Sequence, residues 1–95
     1  MFKITGGAGF HIRFENGYTV SVQFGACTYS ENHGYFSSDV DNAKLGASGS
    51  ATAEVAVFKD GERGLLKVPE FNGDTVGGYY TPAQVLALLN WAASQ

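Results

Sequence analysis

Cys27, His33, Asp39 and Asp41 are the residues whose types could perform covalent chemistry: a thiolate nucleophile, an imidazole to accept its proton and a carboxylate to orient that imidazole. All four lie between Gly25 and Ser50, a stretch rich in Gly, Ser, Asn and Asp with no sustained hydrophobic period, and no oxyanion-stabilising motif accompanies them. A partly buried structural thiol is therefore the expected role of Cys27, and the chain is not expected to be an enzyme. Asp39-Val40-Asp41-Asn42 has the alternating carboxylates that open a calcium loop, but Lys44 stands where glycine must turn the chain and Ser50 where a bidentate glutamate is needed. Gly6-Gly7-Ala8-Gly9 would let backbone N–H groups approach a phosphate, yet a strand rather than a helix follows it, so a turn is the better reading. One cysteine offers neither a disulfide nor a zinc cluster, and no cofactor or metal is expected.

Binding chemistry has more to work with. Tyr29, Tyr35, Phe36, Tyr79, Tyr80 and Trp91 fall outside the periodic segments, and tyrosine and tryptophan outside a core offer large contact area at low entropic cost while keeping a polar handle. Packing beneath loops is the alternative use for the same rings. Arg13 and Arg63 are the available bidentate forks for phosphate or carboxylate. The expected binding set is Tyr29, His33, Tyr35, Phe36, Asp39, Arg13, Tyr79 and Trp91. A formal charge of −3, with six basic residues scattered along the chain, supplies no long-range attraction for nucleic acid or anionic lipid, and neither is an expected partner.

These residues need a scaffold, and the 95 residues suffice for one core and one domain, residues 1–95. A composition 44% hydrophobic and 16% charged is too apolar for a disordered tail. Phe10-His11-Ile12-Arg13-Phe14 and Tyr18-Thr19-Val20-Ser21-Val22-Gln23-Phe24 alternate strictly around Glu15-Asn16-Gly17, which predicts a β-hairpin with His11 and Arg13 on the polar face. For the apolar sets to share a face, Phe14 must oppose Tyr18, so the loop has three residues with Gly17 left-handed. Alternation between Thr52 and Val68 predicts a second hairpin, Val55 and Val57 facing Leu66 and Val68 across Asp60-Gly61-Glu62-Arg63. Phe2 to Thr5 completes an antiparallel sheet of about five strands. Thr81-Pro82-Ala83-Gln84 carries the signature of a capping box with proline at the first helical position. The helix it opens has a stripe of Val85, Leu88, Leu89 and Ala92, wide enough to cover one sheet face, with Leu86 on its flank and Trp91 well off it. The expected fold is α+β: the sheet, one C-terminal helix, and a long irregular loop from Gly25 to Ser50, where function is expected. The start Met1-Phe2-Lys3-Ile4 lacks the basic region and apolar core of a signal peptide, and no stretch is long enough to span a bilayer, which predicts a cytoplasmic protein.

Three stretches, Phe10 to Gly25 (FHIRFENGYTVSVQFG), Thr52 to Val57, and the helix from Thr81-Pro82 to Asn90-Trp91-Ala92, resemble a group of small proteins carried by tailed phages and prophages. The shared motifs are structural and transfer no catalytic residue, and Ala26-Cys27-Thr28-Tyr29 departs from the asparagine-containing stretch that often follows the first hairpin in that group. The resemblance implies an accessory protein in the host cytoplasm. Its expected role is counter-defence: binding a host defence protein as anti-CRISPR proteins do, or sequestering a cyclic or ADP-ribose-type nucleotide immune signal. The alternative is a structural or virion-associated protein that assembles into a homo-oligomer and takes no ligand.

Overall fold

The computed structural model describes residues 1–5, 8–25, 28–32 and 49–95. Its centre is one antiparallel sheet in which every strand pairs with its neighbour in sequence: β1 (Phe2–Ile4), β2 (Gly9–Arg13), β3 (Tyr18–Gln23), β4 (Ala53–Lys59) and β5 (Val76–Tyr80). Helix α1 (Pro82–Ala93) follows β5 directly, giving the expected α+β architecture.

The first hairpin has the predicted register. Ile12 lies opposite Val20 and Arg13 opposite Thr19. The Phe14 amide donates to the Tyr18 carbonyl at 2.8 Å, and the Gly17 amide closes the turn onto the Phe14 carbonyl at 3.0 Å. Gly17 takes φ +87°, which a side chain would strain. Because residues directly opposite share a face, one row runs Phe2, Ile12, Val20, Val57 and a second runs Ile4, Phe10, Val22, Val55. Val20, Val22, Val55 and Val57 are fully buried there with Val68, Phe71, Leu88 and Ala92. The opposite face carries Lys3, His11, Ser21 and Ala56 in one row.

The second hairpin differs from expectation. Asp60 and Gly61 do turn the chain after β4, but Leu66 makes one ladder bond, its amide to the Val57 carbonyl at 2.7 Å, and residues 65–68 do not continue as a strand. Pro69 ends the run by opening a 3-10 turn, Pro69–Phe71, which buries Phe71 beneath the sheet. Val76–Tyr80 then supplies the strand that pairs with β4. Gly77 makes this possible: a Cβ there would meet the Tyr80 ring at 2.6 Å and the Phe71 ring at 2.8 Å.

Helix α1 is fixed at both ends. At its start the Thr81 hydroxyl accepts from the Gln84 amide at 3.3 Å, while the Gln84 side chain accepts from the Thr81 amide at 2.9 Å. At its end, Asn16 in the first hairpin loop donates from Nδ2 to the carbonyls of Ala92 (2.8 Å) and Gln95 (3.2 Å). Its Oδ1 accepts from the Tyr18 amide at 3.0 Å. One side chain thus shapes the loop and adds a donor at the helix end, where the Ala92 carbonyl otherwise accepts only from backbone amides of the closing turn, that of Gln95 at 3.4 Å. Asn16→Ala is expected to lower stability by about 1–2 kcal/mol, read as a lower urea midpoint with unchanged denaturant dependence. A midpoint equal to wild type would show that the carbonyls are equally well served by water.

Candidate functional site

Among the described residues two that are not glycine take a positive φ, Asn72 after the 3-10 turn and Tyr79 at the β4–β5 junction. Ala53 pairs with Tyr80 and Val55 with Gly77, so Glu54 alone opposes Gly78 and Tyr79: a β-bulge. Tyr79 takes φ +55°, the left-handed conformation that a bulky side chain adopts at a cost of roughly 1–3 kcal/mol. The conformation is held by a neighbouring segment. The Tyr79 amide donates to the Tyr29 carbonyl at 2.8 Å, and the Tyr29 amide donates to the Glu54 carboxylate at 2.8 Å. Glu31 donates from its amide to the Thr52 hydroxyl at 2.9 Å and accepts from the Ala51 amide. Buried Asn32 donates to the Phe24 carbonyl at 3.0 Å. Residues 28–32 are thereby pinned across the end of β3, β4 and β5. A Cβ on Gly78 would come within 3.1 Å of Tyr29 Cβ, so the glycine allows the close approach. Tyr29 and Tyr79 emerge from this knot 55% and 53% exposed, forming an aromatic ridge on constrained backbone.

Of the residues expected to bind, Tyr29 and Tyr79 are brought together. Arg13 and Trp91 are at the opposite end of the sheet. Arg13 pairs with Asp60 after β4; the guanidinium holds that carboxyl below its ordinary range, chiefly by donating a hydrogen bond to it. Trp91 is half-buried at the margin of the core, edge-on to Tyr18 at 6.0 Å and 90°. Tyr80 packs edge-on against Phe71 at 5.6 Å. His33, Tyr35, Phe36 and Asp39, with Cys27 and Asp41, lie outside the described residues. Among the described residues, no group of three or more His, Cys, Asp or Glu side chains is placed to hold a metal ion, and no helix is long and apolar enough to cross a membrane.

A second surface escaped the sequence reading. Helix α1 packs over β3, β4 and β5 and leaves the apolar side of β1 bare: Phe2 is 72% exposed and Ile4 83%. Phe2 meets Phe10 edge-on at 6.2 Å, and Phe10 in turn lines a cleft of about 360 Å³ with Phe24, Tyr80, Val85 and Leu89. Leu86, 59% exposed, stands at the helix side of this cleft. The signal was present in the helix sequence, which contains no charged residue on any face.

No protein-family model matches the chain, and no curated protein or solved structure is detectably similar to it.

On the polar face, His11 stacks at a tilt on Phe58 at 5.5 Å, and burial together with Lys3 pushes its pKa below 6.5. The unfolded chain therefore binds more protons as pH falls through 6.5, and the folded state loses stability there. In urea titrations, the loss between pH 7.5 and 5.5 is expected to be smaller in His11→Gln than in wild type, and equal losses would remove the assignment. Tyr79→Gly, which relieves the left-handed strain, is expected to raise stability by about 1 kcal/mol. A decrease of similar size would mean that packing, not an external contact, retains the tyrosine.

Proposed function

We propose that this protein is a non-enzymatic binding module, a phage accessory factor that counters host defence by occupying the surface of a host immune protein through the Tyr29–Tyr79 ridge. The observation that carries the binding reading is Tyr79 itself. A large aromatic residue is kept half-exposed in a strained conformation that glycine would adopt freely, on backbone immobilised by hydrogen bonds. Rigid, exposed tyrosines are the type of side chain on which protein interfaces concentrate their affinity, because little conformational entropy is lost when they dock. The phage setting and the choice of an immune target come from the sequence resemblance.

A protein surface suits the ridge better than a nucleotide does. Base stacking would use the same rings, but phosphates need a cationic fork, and neither arginine is beside them: Arg13 is engaged by Asp60, and Arg63 follows the turn after β4, both at the far end of the sheet. Expression of the chain in cells carrying a defence system is expected to restore phage plating, and the double variant Tyr29→Ala/Tyr79→Asn is expected to abolish the rescue while the far-ultraviolet spectrum and urea midpoint stay near wild type. Asparagine tolerates the left-handed backbone, so the variant isolates the rings. Full rescue by the double variant would remove the ridge from the mechanism. Calorimetric binding of a cyclic or ADP-ribose-type nucleotide by the wild-type protein would replace the protein target with a small-molecule one.

A further inference from the structure

The ladder between β1 and β2 decides which backbone groups of β1 are left over. The Arg13 amide donates to the Met1 carbonyl at 2.8 Å, the Met1 amino group donates to the Arg13 carbonyl at 2.8 Å, and the Thr5 amide donates to the Gly9 carbonyl at 3.0 Å. Bonded pairs recur at every second residue of an antiparallel ladder, so Met1, Lys3 and Thr5 turn their polar groups toward β2. The N–H and C=O groups of Phe2 and Ile4 therefore point away from β2, at a sheet edge where no further strand is found among the described residues. A row of directional donors and acceptors at strand spacing is matched by another extended backbone. The side chains alternate in step: Phe2 and Ile4 lie exposed on the apolar face, and Lys3 lies on the other face in line with His11. Among the described residues, no carboxylate is within ion-pairing distance of Lys3.

We infer that β1 is a docking edge for an extended segment of another protein, added antiparallel to it, with an acidic residue opposite Lys3 and an apolar residue on either side of that acid. The outward groups of Phe2 and Ile4 form the two bonded pairs of such an addition. Lys3 then falls at the narrow pair between them, where side chains approach most closely and a carboxylate opposite an ammonium is favoured. The partner residues opposite Phe2 and Ile4 come to lie on the apolar face and extend the rows that run inward through Ile12 and Phe10 to the buried valines. The same lysine selects against a second copy of this chain. Self-pairing of β1 in the register that uses both bonded pairs sets Lys3 directly against Lys3, and like charges directly opposite one another destabilise a sheet. Lysine on an edge strand is a general guard against indiscriminate pairing, and the strands it admits are those of opposite charge. β1 and β5 are the two ends of the strand order, so this edge is remote from the Tyr29–Tyr79 ridge and the inference does not depend on the role proposed for the ridge.

Titration of the full chain with the blocked peptide acetyl-Thr-Val-Glu-Val-Thr-amide, followed at the backbone amides by nuclear magnetic resonance, tests the edge. The Phe2 and Ile4 amides are expected to move downfield to saturation and to exchange more slowly with solvent, while the Lys3 amide, already bonded within the sheet, moves little. Lys3→Glu is expected to weaken binding about tenfold and to recover it for the peptide that carries lysine in place of glutamate. Ile4→Pro removes an outward N–H without touching a bond between β1 and β2, and is expected to abolish binding with the circular dichroism unchanged. Ile4→Val keeps that N–H and is expected to bind as wild type does. Phe2 and Ile4 amides that stay in place up to millimolar peptide overturn the inference, as does binding that Lys3→Glu leaves unaltered for both peptides. Shifts confined to Tyr29 and Tyr79 would overturn it too, by assigning the peptide to the ridge.

Discussion

Burial of Leu88 and Ala92 in the core holds α1 against the sheet, and the directional constraint on that packing comes from the amide of Asn16. An apolar stripe alone tolerates sliding and rotation, whereas a hydrogen bond fixes the end of the helix at one point. With it, the C-terminal carbonyls are tied to the loop joining β2 and β3, and the Tyr18–Trp91 contact closes the same corner. The start is equally constrained, because Tyr80 is the last residue of β5 and Thr81 is already the helix cap. A twelve-residue helix is about 18 Å long, close to the length of the strands beneath it. A helix of that length pinned at both ends has one path, over β3, β4 and β5. The bare apolar side of β1 follows from where the helix is tied, rather than from a shortage of apolar residues on the helix.

The parts of this fold that could be read from sequence are those in which a local rule is sufficient. Strict alternation in residues 10–24 determines which side chains share a face, and one left-handed glycine then fixes the loop length, so the register of the first hairpin follows without reference to the rest of the molecule. The same holds for the capping box at Thr81 and Gln84. Both determinants operate within a few residues.

The elements that depart from the sequence pattern depend on partners distant in the chain. Leu66 and Val68 alternate as a strand does, but Pro69 lies immediately after them and their side chains serve the core from an irregular backbone. Gly77 and Gly78 are poor strand formers by themselves. They are used in β5 because Phe71, Tyr80 and Tyr29 crowd against them, and that crowding exists only after the sheet has assembled. Asn16 likewise reads as an ordinary loop residue until the helix end is brought to it from about eighty positions away. For the candidate site, Tyr29 and Tyr79 could be singled out because they stand outside the periodic segments. Their convergence on one bulge could not, since it rests on the Glu54 carboxylate and on one backbone bond between segments fifty residues apart.

The two surfaces that the chain displays differ in kind, and the difference bears on what each is suited to. The apolar side of β1 and the outer side of α1 are regular secondary structure, flat and unstrained, and their exposure costs free energy in proportion to area. Such a surface is satisfied by any well-fitting apolar cover and discriminates weakly among partners. The tyrosine ridge is small, irregular and held by directional hydrogen bonds that a shift of an ångström would break. Its specificity resides in geometry rather than area. The two surfaces adjoin rather than overlap: Phe24, Ala51 and Thr52 line the apolar cleft and also bind residues 31 and 32 beneath the tyrosines, while the Tyr80 ring is fixed against Phe71 and packs on the core.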